Sequence, residues 1–97
     1  MRIISKKRIH EFIGSQPRSE ESLLRWYQIS KRASWSNFME IKQDFGTIDY
    51  VQNDLYVFDL GGNKYRLIAR INFRAKVIYI RFIGTHEEYD FVDFSTL

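Results

Sequence analysis

The spacing of apolar residues changes near residue 48 and divides the chain into two kinds of structure. Before this point apolar residues recur every three or four positions, as on one face of a helix. After it they alternate with polar residues, as in a half-buried strand. The first part therefore predicts a short strand at residues 2–4 and helices over 5–13, 19–32 and 37–45.

These elements predict an α+β fold, with N-terminal helices packed on one face of a mainly antiparallel β-sheet and the other face left open. A hairpin turn is expected at Gly61-Gly62-Asn63, because glycine and asparagine tolerate positive φ. A short helix or turn is expected over residues 86–91, after the last strand.

The length and composition indicate one domain over residues 1–97. The chain has 97 residues, 44% hydrophobic, and no cysteine, which excludes a disulfide scaffold and a thiolate metal site. No apolar run approaches the ~18 residues of a membrane span, and the N-terminus lacks the apolar region of a signal peptide. We therefore expect a cytoplasmic protein with no membrane partner.

Two strands near the C-terminus carry the most informative pattern. Over residues 64–74 one set of alternate positions is apolar, and the other reads Lys64, Arg66, Ile68, Arg70, Asn72 and Arg74. Over residues 77–83 the pattern places Ile78, Ile80 and Phe82 toward the helices, and Val77, Tyr79, Arg81 and Ile83 on the opposite face. If the strands pair in register, Arg66, Arg70, Tyr79 and Arg81 lie together on the open face.

This basic surface suggests a polyanionic partner. Residues 64–81 contain six Lys or Arg and no Asp or Glu. Guanidinium groups match phosphate oxygens, and aromatic rings offer stacking surfaces for bases, so RNA is the natural ligand. His86 or Tyr89 would supply an acid or base for cleavage through the 2′-hydroxyl. The alternatives are structural: salt-bridged arginines, His86 capping a turn and Tyr89 packing on the core.

Metal-dependent chemistry is not favoured by the residues present. No carboxylate accompanies the arginines on the two central strands, and the two histidines, His10 and His86, are far apart in the chain. We therefore expect neither a metal nor another cofactor.

Two segments are similar to a known family. The turn Gly61-Gly62-Asn63, followed by Arg66, precedes the closing segment Thr85-His86-Glu87-Glu88-Tyr89-Asp90. Together with the aromatic strand before the turn, this pattern resembles the HigB family of bacterial toxins. The resemblance is specific over about residues 55–91 and extends more weakly over residues 1–54.

The resemblance implies a RelE-like fold and an mRNA endoribonuclease that halts translation, usually by cutting transcripts on the ribosome. It implies neutralisation by a cognate helix-turn-helix antitoxin, through which alone the toxin would meet DNA. On matching positions it implies phosphate and transition-state contacts from Arg66 and Arg81. It makes His86 and Tyr89 acid/base or base-stacking residues, and it identifies no separate general base.

Other residues are expected to bind RNA without taking part in catalysis. Lys64, Arg70 and Tyr79 belong to the predicted open face, and the helices add Lys6, Lys7, Arg8, Lys31 and Arg32 as contacts to ribosomal RNA. The simpler interpretation of the helix residues is a solvated surface. Two other functions remain open: an RNA- or ribosome-binding module that does not cut, and a protein-interaction domain with an acidic partner.

Overall fold

The computed structural model describes all 97 residues. Its strands are β1 (Arg2–Ile4), β2 (Ile48–Gln52), β3 (Leu55–Leu60), β4 (Tyr65–Asn72) and β5 (Val77–Thr85). Its helices are α1 (Lys6–Ser15), α2 (Glu20–Arg32), α3 (Phe38–Asp44) and the single turn α4 (His86–Tyr89). Short 3₁₀ turns lie at Pro17–Ser19 and Phe94–Thr96.

All five strands form one sheet in the order β1-β5-β4-β3-β2. Every neighbouring pair is antiparallel except β1 and β5, which run parallel from the pair Arg2–Val77 to the pair Ile4–Tyr79. This arrangement confirms the predicted α+β fold with a mainly antiparallel sheet. No helix has the length and apolar character that crossing a membrane requires.

The N-terminal helices cover one face of the sheet and enclose the main core. Helix α2 has acids in its first turn and basic residues in its last, which suits the helix dipole. It buries Leu23 and Trp26, and the Trp26 ring meets Phe58 of β3 edge-on with centroids 5.5 Å apart. Helix α3 begins at Asn37, whose side chain accepts a hydrogen bond from the amide of Glu40 at 3.0 Å. The helices predicted from the sequence are confirmed.

The hairpin between β3 and β4 fixes the register of the central strands. Gly61, Gly62 and Asn63 all have positive φ, at 60°, 62° and 76°. A side chain at Gly61 would also lie 2.9 Å from the Tyr65 ring, so glycine is required there on two grounds. The predicted turn is confirmed.

A β-bulge in β5 changes which face its last residues occupy. Ile80 pairs with Ala69 and Phe82 pairs with Ile68, so Arg81 is an extra residue with no partner on β4. Beyond it, Phe82 packs with Ile68 on the face away from the helices, and Ile83 packs against the main core. The simple alternation predicted for residues 77–83 is therefore wrong after Ile80.

The face opposite the helices is covered at its centre, and the prediction of an open face is wrong there. Leu55, Val57 and Ile68 form a second buried cluster. The side chains that pack on it are Phe82, Tyr89, Val92, Phe94 and Leu97. Most of these come from residues 89–97, which we call the C-terminal tail. The tail therefore has a structural role that its irregular sequence pattern does not indicate.

Candidate functional site

Arg66 is the one buried cation of the protein. It lies opposite Asp59 in the β3–β4 ladder, and its Nε is 2.8 Å from Asp59 Oδ1. Its Nη1 donates to the carbonyl oxygens of Asn63 at 3.0 Å and Tyr65 at 3.4 Å. The residue is only 7% exposed. These contacts hold the plane of the guanidinium in one orientation.

One edge of this guanidinium has no partner within the protein. Nε and Nη1 are engaged, whereas Nη2 makes no hydrogen bond to any other residue. The guanidinium carbon lies 5.5 Å from the centre of the Tyr89 ring, close enough for a cation–π contact. Arg66 is thus oriented by Asp59 and Tyr89, with donors left for an external acceptor such as a phosphate oxygen.

Helix α4 places His86 and Tyr89 beside Arg66. Thr85 caps the helix reciprocally: its Oγ1 accepts from the amide of Glu88 at 3.2 Å, and its own amide donates to Glu88 Oε1 at 2.8 Å. The amide of His86 donates to the Lys64 carbonyl at 3.0 Å, which ties α4 to the start of β4. The end of β5 and the start of β4 therefore fix the position of α4, and with it the backbone positions of His86 and Tyr89.

The imidazole of His86 is available to a ligand. Its Nδ1 is 3.8 Å from Asp90 Oδ2, and both side chains are more than half exposed. The cap after Thr85 is made by Thr85 and Glu88, so the alternative interpretation of His86 as a capping residue is not needed. Tyr89 does pack on the second cluster, with its ring edge-on to Phe94 at 6.0 Å, and contacts Arg66 at the same time.

Burial and neighbouring charges shift two ionisable groups at this site. Burial raises the pKa of Asp59, and Asp49 adds to this effect, while the nearby positive charges of Arg66 and His86 oppose it. Burial likewise raises the pKa of the Tyr89 phenol, against the opposing effect of Arg66. The Tyr89 phenol is consequently protonated at neutral pH.

Arg81 stands at the bulge of β5 and is exposed. Its carbonyl accepts a hydrogen bond from Arg8 Nη1 at 3.2 Å, which brings the basic start of α1 next to it. Of the fifteen Lys and Arg side chains, Arg66 alone has a carboxylate within 4 Å. Arg8 and Arg81 therefore keep their full charge for a polyanion.

Arg66, Arg70, Tyr79 and Arg81 were predicted to lie together on the open face, but the second cluster divides this group in two. Arg70 lies at the far end of β4, where its Nη2 donates to the Leu97 carbonyl at 2.8 Å and its Nη1 donates to the Asn53 carbonyl. Tyr79 pairs with Arg70 across the strands and is 38% exposed. Ile68 separates this pair from Arg66 along β4. The structure groups Arg66 with His86 and Tyr89, and it places Arg70 with the tail.

The basic residues of the helices occupy two places. Lys7 is exposed beside Arg8 on α1, and Lys6 lies 4.6 Å above the ring of Tyr27. Lys31, at the end of α2, lies 5.6 Å from the same ring, next to the exposed Arg32. Lys64, at the start of β4, is also exposed and carries the carbonyl that holds α4.

Sequence reasoning missed Asp59. It considered carboxylates only on β4 and β5, whereas Asp59 reaches Arg66 from β3. Counting outward from the Gly61-Gly62-Asn63 turn alone would pair Asp59 with residue 65, whereas Lys64 also lies in the loop, so Leu60 pairs with Tyr65 and Asp59 pairs with Arg66. It also missed Phe91, which is 89% exposed directly after α4. No three His, Asp or Glu side chains are grouped closely enough to hold a metal ion.

The fold and the site together define a type of protein. It is a basic α+β domain in which an anchored arginine lies beside a short helix that carries a histidine and a tyrosine. Residues 19–92 match the family model described as HigB_toxin, the RelE-like toxic component of a toxin-antitoxin system. The chain belongs to this family, as the segments at residues 55–91 had predicted. A toxin of such a system has an antitoxin as its partner.

Individual relatives cover nearly the whole chain. The chain is 36% identical over 92 residues to the mRNA interferase HigB of Escherichia coli O6:H1 strain CFT073, covering 93% of this chain and 89% of the relative. It is 28% identical over 93 residues to the mRNA interferase toxin HigB of Escherichia coli K12, covering 94% and 89%. The mRNA interferase HigB of Shigella flexneri matches equally, at 28% over 93 residues.

Proposed function

We propose that this toxin is an mRNA interferase, a metal-independent endoribonuclease that inhibits translation by cutting mRNA on the ribosome. The observation that carries the proposal is the buried guanidinium of Arg66, which is held by Asp59, main-chain carbonyls and the Tyr89 ring and has a free Nη2, with His86 on the same short helix as Tyr89. The names of the relatives support the same activity.

The proposed chemistry uses Arg66, His86 and Tyr89 together with Arg81 from the β5 bulge. In our proposal His86 takes the proton of a ribose 2′-hydroxyl, and the oxygen attacks the adjacent phosphorus. Arg66 and Arg81 stabilise the additional negative charge on the phosphate oxygens. Tyr89, whose raised pKa keeps the phenol protonated, donates its proton to the departing 5′-oxygen. The products are a 2′,3′-cyclic phosphate and a 5′-hydroxyl end.

The surroundings of the site suit single-stranded RNA. Lys64 and the α1 residues Lys7 and Arg8 offer unpaired positive charge on either side of it. Phe91, directly after α4, and Tyr79, farther along the sheet beside Arg70, are exposed aromatic rings, which provide stacking surfaces for bases of any identity. We assign Arg70 to holding the tail, because both of its Nη groups are engaged by main-chain carbonyls.

The remaining basic residues lie where a larger RNA would meet the protein. Lys6, Lys31 and Arg32 surround the exposed side of α2, and we assign them to phosphate contacts with ribosomal RNA. An enzyme acting on translated mRNA works in the cytoplasm. Its cognate antitoxin, of helix-turn-helix type in this proposal, would connect it to operator DNA.

The test is induction of the protein in bacteria with mapping of new mRNA 5′ ends. We compare wild type with Arg81→Ala and His86→Ala, since both side chains are exposed and their loss should leave the fold intact. Arg18→Ala, an exposed change in the 3₁₀ turn before α2, is the matched control. Cuts within codons that vanish in the two site variants support the proposal. Wild-type cleavage by both folded variants would contradict the site assignment.

One observation favours a second function. Asp59 already neutralises Arg66, and Asp49 and Asp90 lie near the same site, so the charge that faces RNA there is smaller than the arginines suggest. A module that binds the ribosome without cutting would tolerate this arrangement. Growth arrest with intact transcripts in the induction experiment would identify that function.

A further inference from the structure

Asp59 is the one carboxylate in direct ion-pair contact with a Lys or Arg side chain of this protein. Its side chain is 23% exposed, and that of Arg66 is 8% exposed, so the pair is partly removed from water. The β3–β4 register places the two residues directly opposite each other. The contact is therefore built into the hairpin and does not depend on flexible surface side chains.

The geometry of the pair restricts what Arg66 offers to a ligand. Asp59 takes the Nε–H, and main-chain carbonyls of Asn63 and Tyr65 take Nη1. The Nη2 group remains as the free donor, and the Tyr89 ring lies against the guanidinium. With Asp59 removed, the guanidinium would lose its contact at Nε, keep those at Nη1 and with the Tyr89 ring, and be less restricted in its orientation.

We infer that Asp59 is a positioning residue for the ribonuclease reaction, which orients Arg66 so that its free Nη2 meets the scissile phosphate. The inference rests on the proposed function. Asp59 itself touches no substrate and transfers no proton in this role. It acts through Arg66. Its charge lowers the net positive charge of the site, and its contact with Nε fixes the direction of the hydrogen bond that Nη2 donates.

The test measures cleavage of ribosome-bound mRNA by the purified full-length protein, with kcat and KM determined separately. Asp59→Asn keeps an acceptor oxygen but removes the charge, and Glu21→Gln removes an exposed charge on α2 as the matched control. We expect Asp59→Asn to lower kcat about 10- to 100-fold while KM changes less than about threefold. Glu21→Gln should leave both constants unchanged.

A double-mutant cycle separates positioning from an independent role. Arg66→Lys keeps the positive charge but loses the fork of donors that Asp59 orients. If Asp59 acts through Arg66, adding Asp59→Asn to Arg66→Lys should lower kcat by less than about twofold further. Multiplication of the two single effects would overturn the inference, as would a normal rate for Asp59→Asn beside an impaired Arg66→Lys.

A spectroscopic readout tests the geometry without relying on activity. In ¹⁵N-correlated NMR spectra the Arg66 Nε–H should exchange slowly in wild type and in Asp59→Glu, and rapidly in Asp59→Leu. If Asp59→Asn fails to fold, Asp59→Glu takes its place in the kinetic test, with a smaller expected loss in kcat. Slow exchange in Asp59→Leu would overturn the inference. Wild-type protein that leaves ribosome-bound mRNA intact would instead contradict the ribonuclease proposal, whatever the variants do.

Discussion

The guanidinium of Arg70 donates a hydrogen bond of 2.8 Å to the carbonyl oxygen of Leu97, and its other Nη group donates to the Asn53 carbonyl. This single side chain joins β4 to the end of the tail and to the β2–β3 turn. We expect Arg70→Met to lower the free energy of unfolding by about 1–3 kcal/mol, because charge-assisted hydrogen bonds are lost. Urea unfolding followed by circular dichroism measures the change.

The comparison for this prediction is Arg74→Met. Arg74 is exposed in the β4–β5 turn and makes no hydrogen bond or ion pair through its side chain. Its replacement should change the free energy of unfolding by no more than about 0.5 kcal/mol. Equal losses at both positions would mean that Arg70 does not hold the tail.

Variants of the Arg66–Asp59 pair should affect the free energy of unfolding and RNA cleavage differently. Arg66→Met alone leaves the Asp59 carboxylate partly buried without its partner, and we expect a loss of about 3 kcal/mol in the free energy of unfolding. Adding Asp59→Leu should restore stability to within about 1 kcal/mol of wild type, since an apolar pair of similar size replaces a partly buried ion pair. RNA cleavage should stay absent in the double variant, and its return would show that Arg66 is purely structural.

Arg81 should contribute to RNA binding through charge alone. Its side chain is exposed at the bulge and has no carboxylate partner, so Arg81→Ala should leave the thermal midpoint unchanged. The slope of log K against log salt for a single-stranded RNA should become less steep by about 0.7, the value for one phosphate contact. Fluorescence titrations at several salt concentrations give this slope, and an unchanged slope would exclude the contact.

Tyr89 should make stability fall at alkaline pH. Burial raises the pKa of its phenol above the ordinary value of 10.0, so the stabilisation is complete below pH 10 and lost as the pH rises through the folded-state value. Tyr89→Phe cannot ionise, and wild type should therefore lose stability relative to it as the pH rises above about 10. Tyr56, whose pKa burial also raises, is common to both proteins and cancels in the difference.

The same variant tests the proposed proton donor. Tyr89→Phe keeps the ring that contacts Arg66 and Phe94 but removes the hydroxyl. Cleavage should fall about 10²- to 10⁴-fold at neutral pH, the usual contribution of a general acid. Single-turnover cleavage of ribosome-bound mRNA measures the rate, and an unaltered rate would leave Tyr89 with a packing role only.

Gly84 has no side chain, and the ring of Phe82, which packs on the second cluster, occupies the space that a side chain would need. A Cβ at this position would collide with the Phe82 ring and lie 3.2 Å from Glu88 Cβ. We expect Gly84→Ala to lower the free energy of unfolding by about 1–3 kcal/mol, because Phe82 must move off its packing site. Gly14→Ala in α1, where nothing lies within 4 Å, should instead raise it by up to about 1 kcal/mol. Chemical unfolding of both variants gives the comparison.

Local signals predicted most of the fold. The helix faces and the positive-φ turn at residues 61–63 each depend on a few neighbouring residues, and the structure confirms both predictions. The pairing of Asp59 with Arg66 does not follow from that turn by counting, because Lys64 is a fourth loop residue that shifts the register by one position. This contact therefore required the structure.

The bulge and the tail depend on contacts between distant parts of the chain. An extra residue at Arg81 leaves the apolar spacing of β5 looking regular, since Phe82 and Ile83 are both apolar and either can face a core. Val92, Phe94 and Leu97 show no period, because an irregular segment with a 3₁₀ turn carries them to the second cluster. The placement of Arg70 with this tail therefore required the structure.

The parallel pairing of β1 with β5 joins residues that are 75 positions apart in the sequence, such as Arg2 and Val77. Arg2, Ile3 and Ile4 have no sheet partner until residues 77–79 exist, and α4, which carries His86 and Tyr89, follows later still. A nascent chain therefore lacks the complete site until residues 86–89 have been made, and domains fold as units once their partners are present. Synthesis of the N-terminal helices alone gives a chain without the grouping of Arg66, His86 and Tyr89.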